Sequence, residues 1–315
     1  VGVYIGKRVL AIIPILLFSS LLMFVMIRVG PVDPAEAYLA AAHIQPDDEV
    51  LAAKRHEFGL DQPLLAQYVQ SVGRLLRLDF GHSYLSNMPV WGEVAQKLPA
   101  TLQLASASIV LALVVSIPLG VLAAIYKNRL VDHVIRVFAY IGACVPVFWI
   151  GYLLMFFISV KLEWLPVEGR GSVQHLILPS ITLALWLIAI YARLLRTTVL
   201  EELKEAYVRY ARARGIKERV ILYKYVLRIA IAPLITGLGI NLGKLLTGAI
   251  IVEQVFSWPG FGRYFIEAVI NRDIPVIQCY VMLSVCVIAG SNLIADLLQL
   301  FLDPRIARKG RASQG

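Results

Sequence analysis

The sequence has 315 residues, 59% of them apolar and only 16% charged, with a formal net charge of +9. That composition is too greasy for a soluble protein of this size to cover with polar surface, and it points to a bilayer as solvent. Nucleic acid is excluded as a partner, because most of the basic excess flanks the ends of apolar stretches, where the positive-inside rule already accounts for it.

A spanning helix needs about 20 apolar residues to cross roughly 30 Å of hydrocarbon. Six stretches qualify in chain order: Val9 to Ile27, Leu98 to Tyr126, Val137 to Val160, Leu176 to Ala192, Ile229 to Val252 and Ile274 to Ala295. The first carries no cleavage pattern and is expected to stay as an anchor. With the N-terminus inside, 19 of the 30 Lys and Arg lie on the inner side, 10 on the outer side and Lys244 within a span. Both termini are therefore expected in the cytoplasm.

Between the first two spans, residues 31–97 are expected to form an extracytoplasmic helical segment. Asp47-Asp48 caps a helix running to about Phe58, with Gly59 as its stop. Pro63 opens a second, in which Leu64, Leu65, Tyr68, Val69, Val72, Leu75 and Leu76 recur at helical spacing. That apolar face must bury, either as a lid on the membrane domain or as a docking surface for a soluble partner. The longest inner segment, Arg193 to Arg228, is charged and free of proline. It reads as a helix from Thr197 to Arg214, a stop at Gly215, and a second helix from Lys217 that runs into the fifth span. A DNA-reading helix-turn-helix has the same outline, but this one is tethered between two spans.

No catalytic constellation emerges. Gly243-Lys244 is followed by Leu245 and has Leu238 where a phosphate loop needs its first glycine, so no nucleotide site is expected in this chain. The five histidines include no helical pair, and there is no Cys-x-x-Cys. Cys144, Cys279 and Cys286 all fall in spans and read as small apolar residues, although Cys279 is also a candidate ligand for a transported metal. Polar groups inside spans are costly and carry a functional expectation. Lys244 either lines a water-filled path or pairs with an acid such as Asp296, while Asn292 and Asp296 share a helix face as pathway or structural glue. Asn241, Glu253 and Cys279 complete the candidate translocation path. Gly239 and Gly243 form a G-x-x-x-G for close helix approach, and Pro118 and Pro146 free backbone carbonyls as packing or hinge positions.

Several motifs resemble one family. Tyr207-Val208-Arg209-Tyr210-Ala211-Arg212-Ala213-Arg214-Gly215 resembles the EAA loop of ATP-binding cassette importer permeases, in its peptide and nickel branch. Similar matches are the run Val252-Glu253-Gln254-Val255-Phe256-Ser257-Trp258-Pro259-Gly260-Phe261-Gly262-Arg263, the ending Leu302-Asp303-Pro304-Arg305, Gly59-Leu60-Asp61-Gln62-Pro63 and Leu98-Pro99-Ala100-Thr101-Leu102. The resemblance covers essentially the whole chain. It implies an all-α integral membrane protein of six spans with the type I importer permease fold, divided as residues 1–98, 99–305 and a cytoplasmic tail 306–315. It also implies that Tyr207 and Ala211 to Gly215 belong to a coupling helix docking on an ATPase. Arg209 stands where the loop's glutamate would be. The implied partners are a homologous second permease, two ATPases that hold ATP and magnesium, membrane lipid and an extracytoplasmic solute-binding protein, in the bacterial inner membrane. This chain would be non-catalytic and would work by alternating access. Within the branch, residues 271–279, ending in Cys279 where dipeptide permeases usually have glycine, look most like nickel permeases, as do residues 175–179. The expected cargo is nickel, free or chelated, with a dipeptide or oligopeptide as the alternative. A secondary transporter or channel is the reading from another class, but repeated halves and acidic relays are not evident.

Overall fold

The computed structural model describes residues 2–30, 33–45 and 47–302. The expected motif ending at Asp303-Pro304-Arg305 and the tail 306–315 lie outside the described residues. The chain is all helical, and among the described residues the only extended pairing is an isolated antiparallel bridge between His82 and Pro89. The elements in order are α1 (Gly2–Val29), α2 (Pro34–Ala41), α3 (Asp48–Glu57), α4 (Leu64–Leu76), α5 (Val90–Ile125), α6 (Leu130–Cys144) and α7 (Val147–Leu154), which continues as a π-helical stretch Met155–Lys161. Then come α8 (Val173–Glu202), α9 (Ala206–Ala213), α10 (Glu218–Val220), a π-helical stretch Ile221–Val226, α11 (Leu227–Ala230), α12 (Ala232–Val255), α13 (Phe261–Ile270) and α14 (Ile274–Leu302).

Among the described residues five helices are long and apolar enough to cross a membrane, and six spans result if the bent pair α6–α7 counts as one. The third stretch was expected as a single span from Val137 to Val160. It is instead broken at Val145-Pro146, and its two arms are bent by 107°. The cause is local: the residue before proline is pushed out of the helical region, and Val145 sits at ψ 131°. The inner segment also differs from expectation, because α8 runs through Thr197 to Glu202 and a turn at 203–205 separates it from α9.

The chain divides into two compact units. In the first, Val1–Thr101 with Pro259–Gly290, the local signals hold closely. Asp47 caps α3 with its side chain on the Asp48 N–H at 2.9 Å, and Gly59 takes the left-handed φ of +66° that ends it. Helix α4 faces α1 through Tyr68, whose ring meets Phe24 edge-on at 5.4 Å and whose hydroxyl lies 3.0 Å from Ser20 Oγ. Elsewhere on its apolar face Val72 and Leu75 are half-buried, whereas Leu65 is 75% and Leu76 82% exposed. A buried cluster of Val90, Val94, Phe261, Tyr264, Ala268, Val276 and Cys279 forms the core. Two carboxylates tie loops onto it. Asp273 accepts from Ser83 Oγ at 2.5 Å and the Tyr84 N–H at 3.1 Å, and Glu93 accepts from Tyr264 Oη at 2.6 Å and Ser86 Oγ at 3.0 Å. Burial and the Glu93 carboxylate hold the Tyr264 phenol above its ordinary pKa, so it remains a donor.

The second unit, Leu102–Trp258 with Ser291–Gly315, is built on close helix contacts. A Cβ on Gly120 would lie 2.8 Å from Leu195 Cβ and 2.9 Å from the Ala192 carbonyl oxygen, so only glycine lets α5 approach α8 this closely. A Cβ on Gly239 would sit 2.5 Å from Ala295 Cβ, so α12 and the end of α14 meet backbone to backbone. Asp132 on α6 is fully buried and receives Arg196 of α8 bidentately, at 2.6 and 2.7 Å. The Asn128 N–H, at 2.9 Å, and Arg136 Nε, at 3.4 Å, complete its surroundings.

Candidate coupling and translocation site

The eight residues of α9 are braced at both ends. At its start, Tyr207 Oη donates to Glu202 Oε2 at 2.8 Å, which ties the helix back to the end of α8. Burial and that carboxylate push the Tyr207 phenol above its ordinary pKa, keeping the donor protonated. At its end, the Gly215 N–H bonds the Arg212 carbonyl at 2.9 Å and the Ile216 N–H bonds the Ala211 carbonyl at 3.2 Å. With Gly215 at φ +72°, these two bonds make a Schellman stop. Arg212 then reaches over the turn to Glu218 with a bidentate pair at 2.6 and 3.2 Å.

This bracing sorts the expected coupling residues into two faces. Val208 and Ala211 are buried, so Ala211 anchors the helix and presents nothing outward. Arg209, Tyr210, Arg212, Ala213, Arg214 and Gly215 are exposed, and Arg214 lies over the Tyr210 ring at 5.8 Å. The outer face is therefore basic and aromatic, carried on a short helix braced at both ends. Sequence reasoning missed the braces Glu202 and Glu218: the turn at 203–205 carries no glycine or proline, and although Gly215 marks the second turn, no local signal says that Arg212 reaches across it to Glu218.

The candidate path residues are dispersed. Asn241 Nδ2 donates to Tyr191 Oη at 3.2 Å, joining α12 to α8. Lys244 is exposed, with its ammonium 5.9 Å from the Trp186 ring centroid. Glu253 is fully buried, and its backbone carbonyl accepts the Trp258 N–H at 2.8 Å. Asn292 is exposed and Asp296 half-buried, on either side of the Ala295 that meets Gly239. Cys279 belongs to the first unit, at 0% exposure within the apolar cluster. Pro146 stands at the α6–α7 break, whereas Pro118 lies within the continuous helix α5, and Gly243 is buried on α12. Among the described residues no group of three or more His, Cys, Asp or Glu is placed to hold a metal ion.

Five to six apolar spans with a braced basic helix between two of them define a multi-pass inner-membrane permease subunit of an ATP-binding cassette importer, a non-catalytic component whose ATPase is a separate subunit. The chain belongs to the family described as Binding-protein-dependent transport system inner membrane component, which matches residues 116–308, and the N-terminal membrane-component model of the same systems matches residues 3–105. It is similar to the glutathione transport system permease protein GsiC of Salmonella choleraesuis, 40% identical over 97% of this chain and 99% of that protein. The same protein of Escherichia coli K12 is 39% identical over the same shares. Among solved structures, the inward-facing MetNI methionine ABC transporter matches with a TM-score of 0.51 and 17% identity over 65% of this chain and 96% of that one, a likeness of fold alone.

Proposed function

We propose that this chain forms one half of the translocation pathway for glutathione or a short peptide of similar size. The observation that carries the reading is the 40% identity, along 97% of the chain, with a permease named for glutathione transport. The nickel expectation rested on residues 271–279, on Cys279 above all, and on residues 175–179; a thiol fully enclosed by Val90, Val94, Phe261 and Val276 has no open coordination sphere. Two ATPases, a homologous second permease and an extracytoplasmic binding protein complete the machine, with both termini and α9 on the cytoplasmic side. ATP binding draws the ATPases together, α9 transmits that movement, and the paired bundles turn outward to receive cargo.

The test is ATPase activity of the complete complex in lipid, titrated with binding protein carrying glutathione, a dipeptide or nickel. Stimulation by the glutathione-loaded or dipeptide-loaded protein is expected. Stimulation by nickel alone overturns the cargo and restores the metal. In the same assay, the double substitution Tyr210→Ala with Arg214→Glu on the exposed face of α9 is expected to abolish stimulation while leaving the thermal midpoint of this chain unchanged.

A further inference from the structure

Helix α4 has the polarity of a helix in water turned inside out. Gln67, Gln70, Ser71 and Arg74 stand on the side that lines a cavity of about 440 Å³, which α4 shares with the end of α1, with α2 and α3, and with the start of α14. Gln67 is buried and donates to the Leu60 carbonyl at 3.0 Å and the Gln62 carbonyl at 2.7 Å, and Ser71 Oγ receives Gln278 Nε2 of α14 at 3.3 Å. The opposite arc carries Leu65, Val69 and Leu76, at i, i+4 and i+11, which are 75%, 62% and 82% exposed. An amphipathic helix on a water-facing surface buries such residues and shows its glutamines.

The place where α4 meets α1 indicates what covers that arc. The apolar span of α1 runs from Leu10 to Val29, and Tyr68 of α4 touches its middle: the hydroxyl donates to the Leu17 carbonyl at 3.2 Å and lies 3.0 Å from Ser20 Oγ, while the ring meets Phe24 edge-on. Ser20 is nine residues from Val29, about 14 Å along the helix axis. That is close to half of the roughly 30 Å hydrocarbon core. A segment that hydrogen-bonds at this point is itself at hydrocarbon depth, where a water-soluble partner cannot follow it without stranding its polar groups. The exposed arc continues the lipid-facing surface of α1, on which Phe18 is 67% and Leu22 50% exposed. Arg74 and Arg77, both exposed, lie off the apolar arc, as basic residues do on helices that rest in a membrane interface.

From the inverted polarity of α4 and its contact with the middle of the α1 span, we propose that α4 is embedded in the leaflet at the Val29 end of α1, with Leu65, Val69 and Leu76 among lipid acyl chains. The segment joining the first two spans is then anchored in the bilayer, and its apolar face needs neither a lid position on the membrane domain nor a soluble partner. The inference holds whatever cargo the complex carries.

The test is photolabelling of the complete, unmodified complex in nanodiscs of phosphatidylcholine that carries a diazirine on its acyl chain, with labelled peptides mapped by mass spectrometry. Residues 64–77 should be labelled to within roughly threefold of residues 10–29, and α3, a charged helix with no buried residue, to about a tenth of that level or less. Weaker labelling of residues 64–77, or labelling of α3 as strong as theirs, overturns the proposal. A second measurement separates the two faces, with Val69→p-benzoylphenylalanine and Gln70→p-benzoylphenylalanine compared in phosphatidylcholine nanodiscs. Both side chains are exposed, so the unfolding midpoint should stay at the parent value. The adduct at position 69 should be phosphatidylcholine, in about fivefold higher yield than at position 70. Equal yields overturn the orientation of the helix and with it the proposal. An adduct at position 69 to the second permease or to the binding protein makes the arc a protein interface and overturns it as well.

Discussion

The two units of this chain are held together by different physics. The first relies on polar side chains that fasten loops, with Asp273 and Glu93 each accepting two hydrogen bonds, and on aromatic contacts such as Tyr38 against Tyr84 at 5.4 Å. The second relies on absent side chains, since Gly120 and Gly239 let helices touch, and it concentrates its buried charge in the Asp132–Arg196 pair. The difference follows from solvent. Helices in hydrocarbon gain nothing by burying apolar surface against one another and associate through close packing and the occasional strong polar contact. Segments joining spans, which the first unit holds beside α1 and most of α14, mostly meet water and fold by capping, turns and a conventional core.

This contrast predicts how each unit breaks. The largest loss should come from Arg196→Ala, which strands the buried Asp132 carboxylate. About 3 kcal/mol is expected, the lower end for a broken buried pair because Arg136 Nε stays 3.4 Å away. Thermal unfolding of the purified chain measures it. The double substitution Asp132→Leu with Arg196→Leu should recover most of the loss, and no recovery would mean that the pair is more than a matched cost. Next is Gly239→Val, which drives a side chain into the Ala295 backbone and should cost about 2 kcal/mol by forcing α12 from α14. A variant as stable as the parent would show that these helices part without penalty.

In the first unit Tyr264→Phe should cost about 1.5 kcal/mol, since the Glu93 carboxylate loses one donor and keeps Ser86. Hydrogen exchange at residues 83–93, more than the global midpoint, should report it. The smallest effect belongs to Gly215→Ala, about 1 kcal/mol for an L side chain in the left-handed region. It should appear as fraying of α9 in exchange protection, with the spans unaffected.

Legibility in the sequence followed the same division. Where structure is set by neighbouring residues, it was readable: Asp47, Gly59, Pro63 and Gly215 begin or end helices where their chemistry requires. Hydropathy located the spans, because the absence of charge over some twenty residues is a strong constraint. It is blind to direction, so Val137 to Val160 read as one rod although Pro146 stood inside it. The turn at 203–205 was invisible, since it holds no glycine or proline and depends on Tyr207 reaching back to Glu202. The Asp132–Arg196 pair joins residues 64 apart, and the sole advance sign was one acid set among Lys127, Arg129 and Arg136. The cavity around Gln67 assembles residues from α1 to α14, and no local pattern encodes such an assembly.

The bend at Val145-Pro146 has a consequence for the parity of membrane crossings. Each arm holds 15 residues and rises about 22 Å, short of the roughly 30 Å hydrocarbon core, so neither crosses alone. Two such arms turned by 107° still advance roughly 25 Å end to end, so the pair comes close to a full crossing only as a unit. Counted as a crossing, it makes the total even and brings α9 to the side on which the chain began. Counted as a loop that returns, it makes the total odd and delivers α9 to the opposite face. The bend at Pro146 thus bears on which face of the membrane the chain's basic helix reaches.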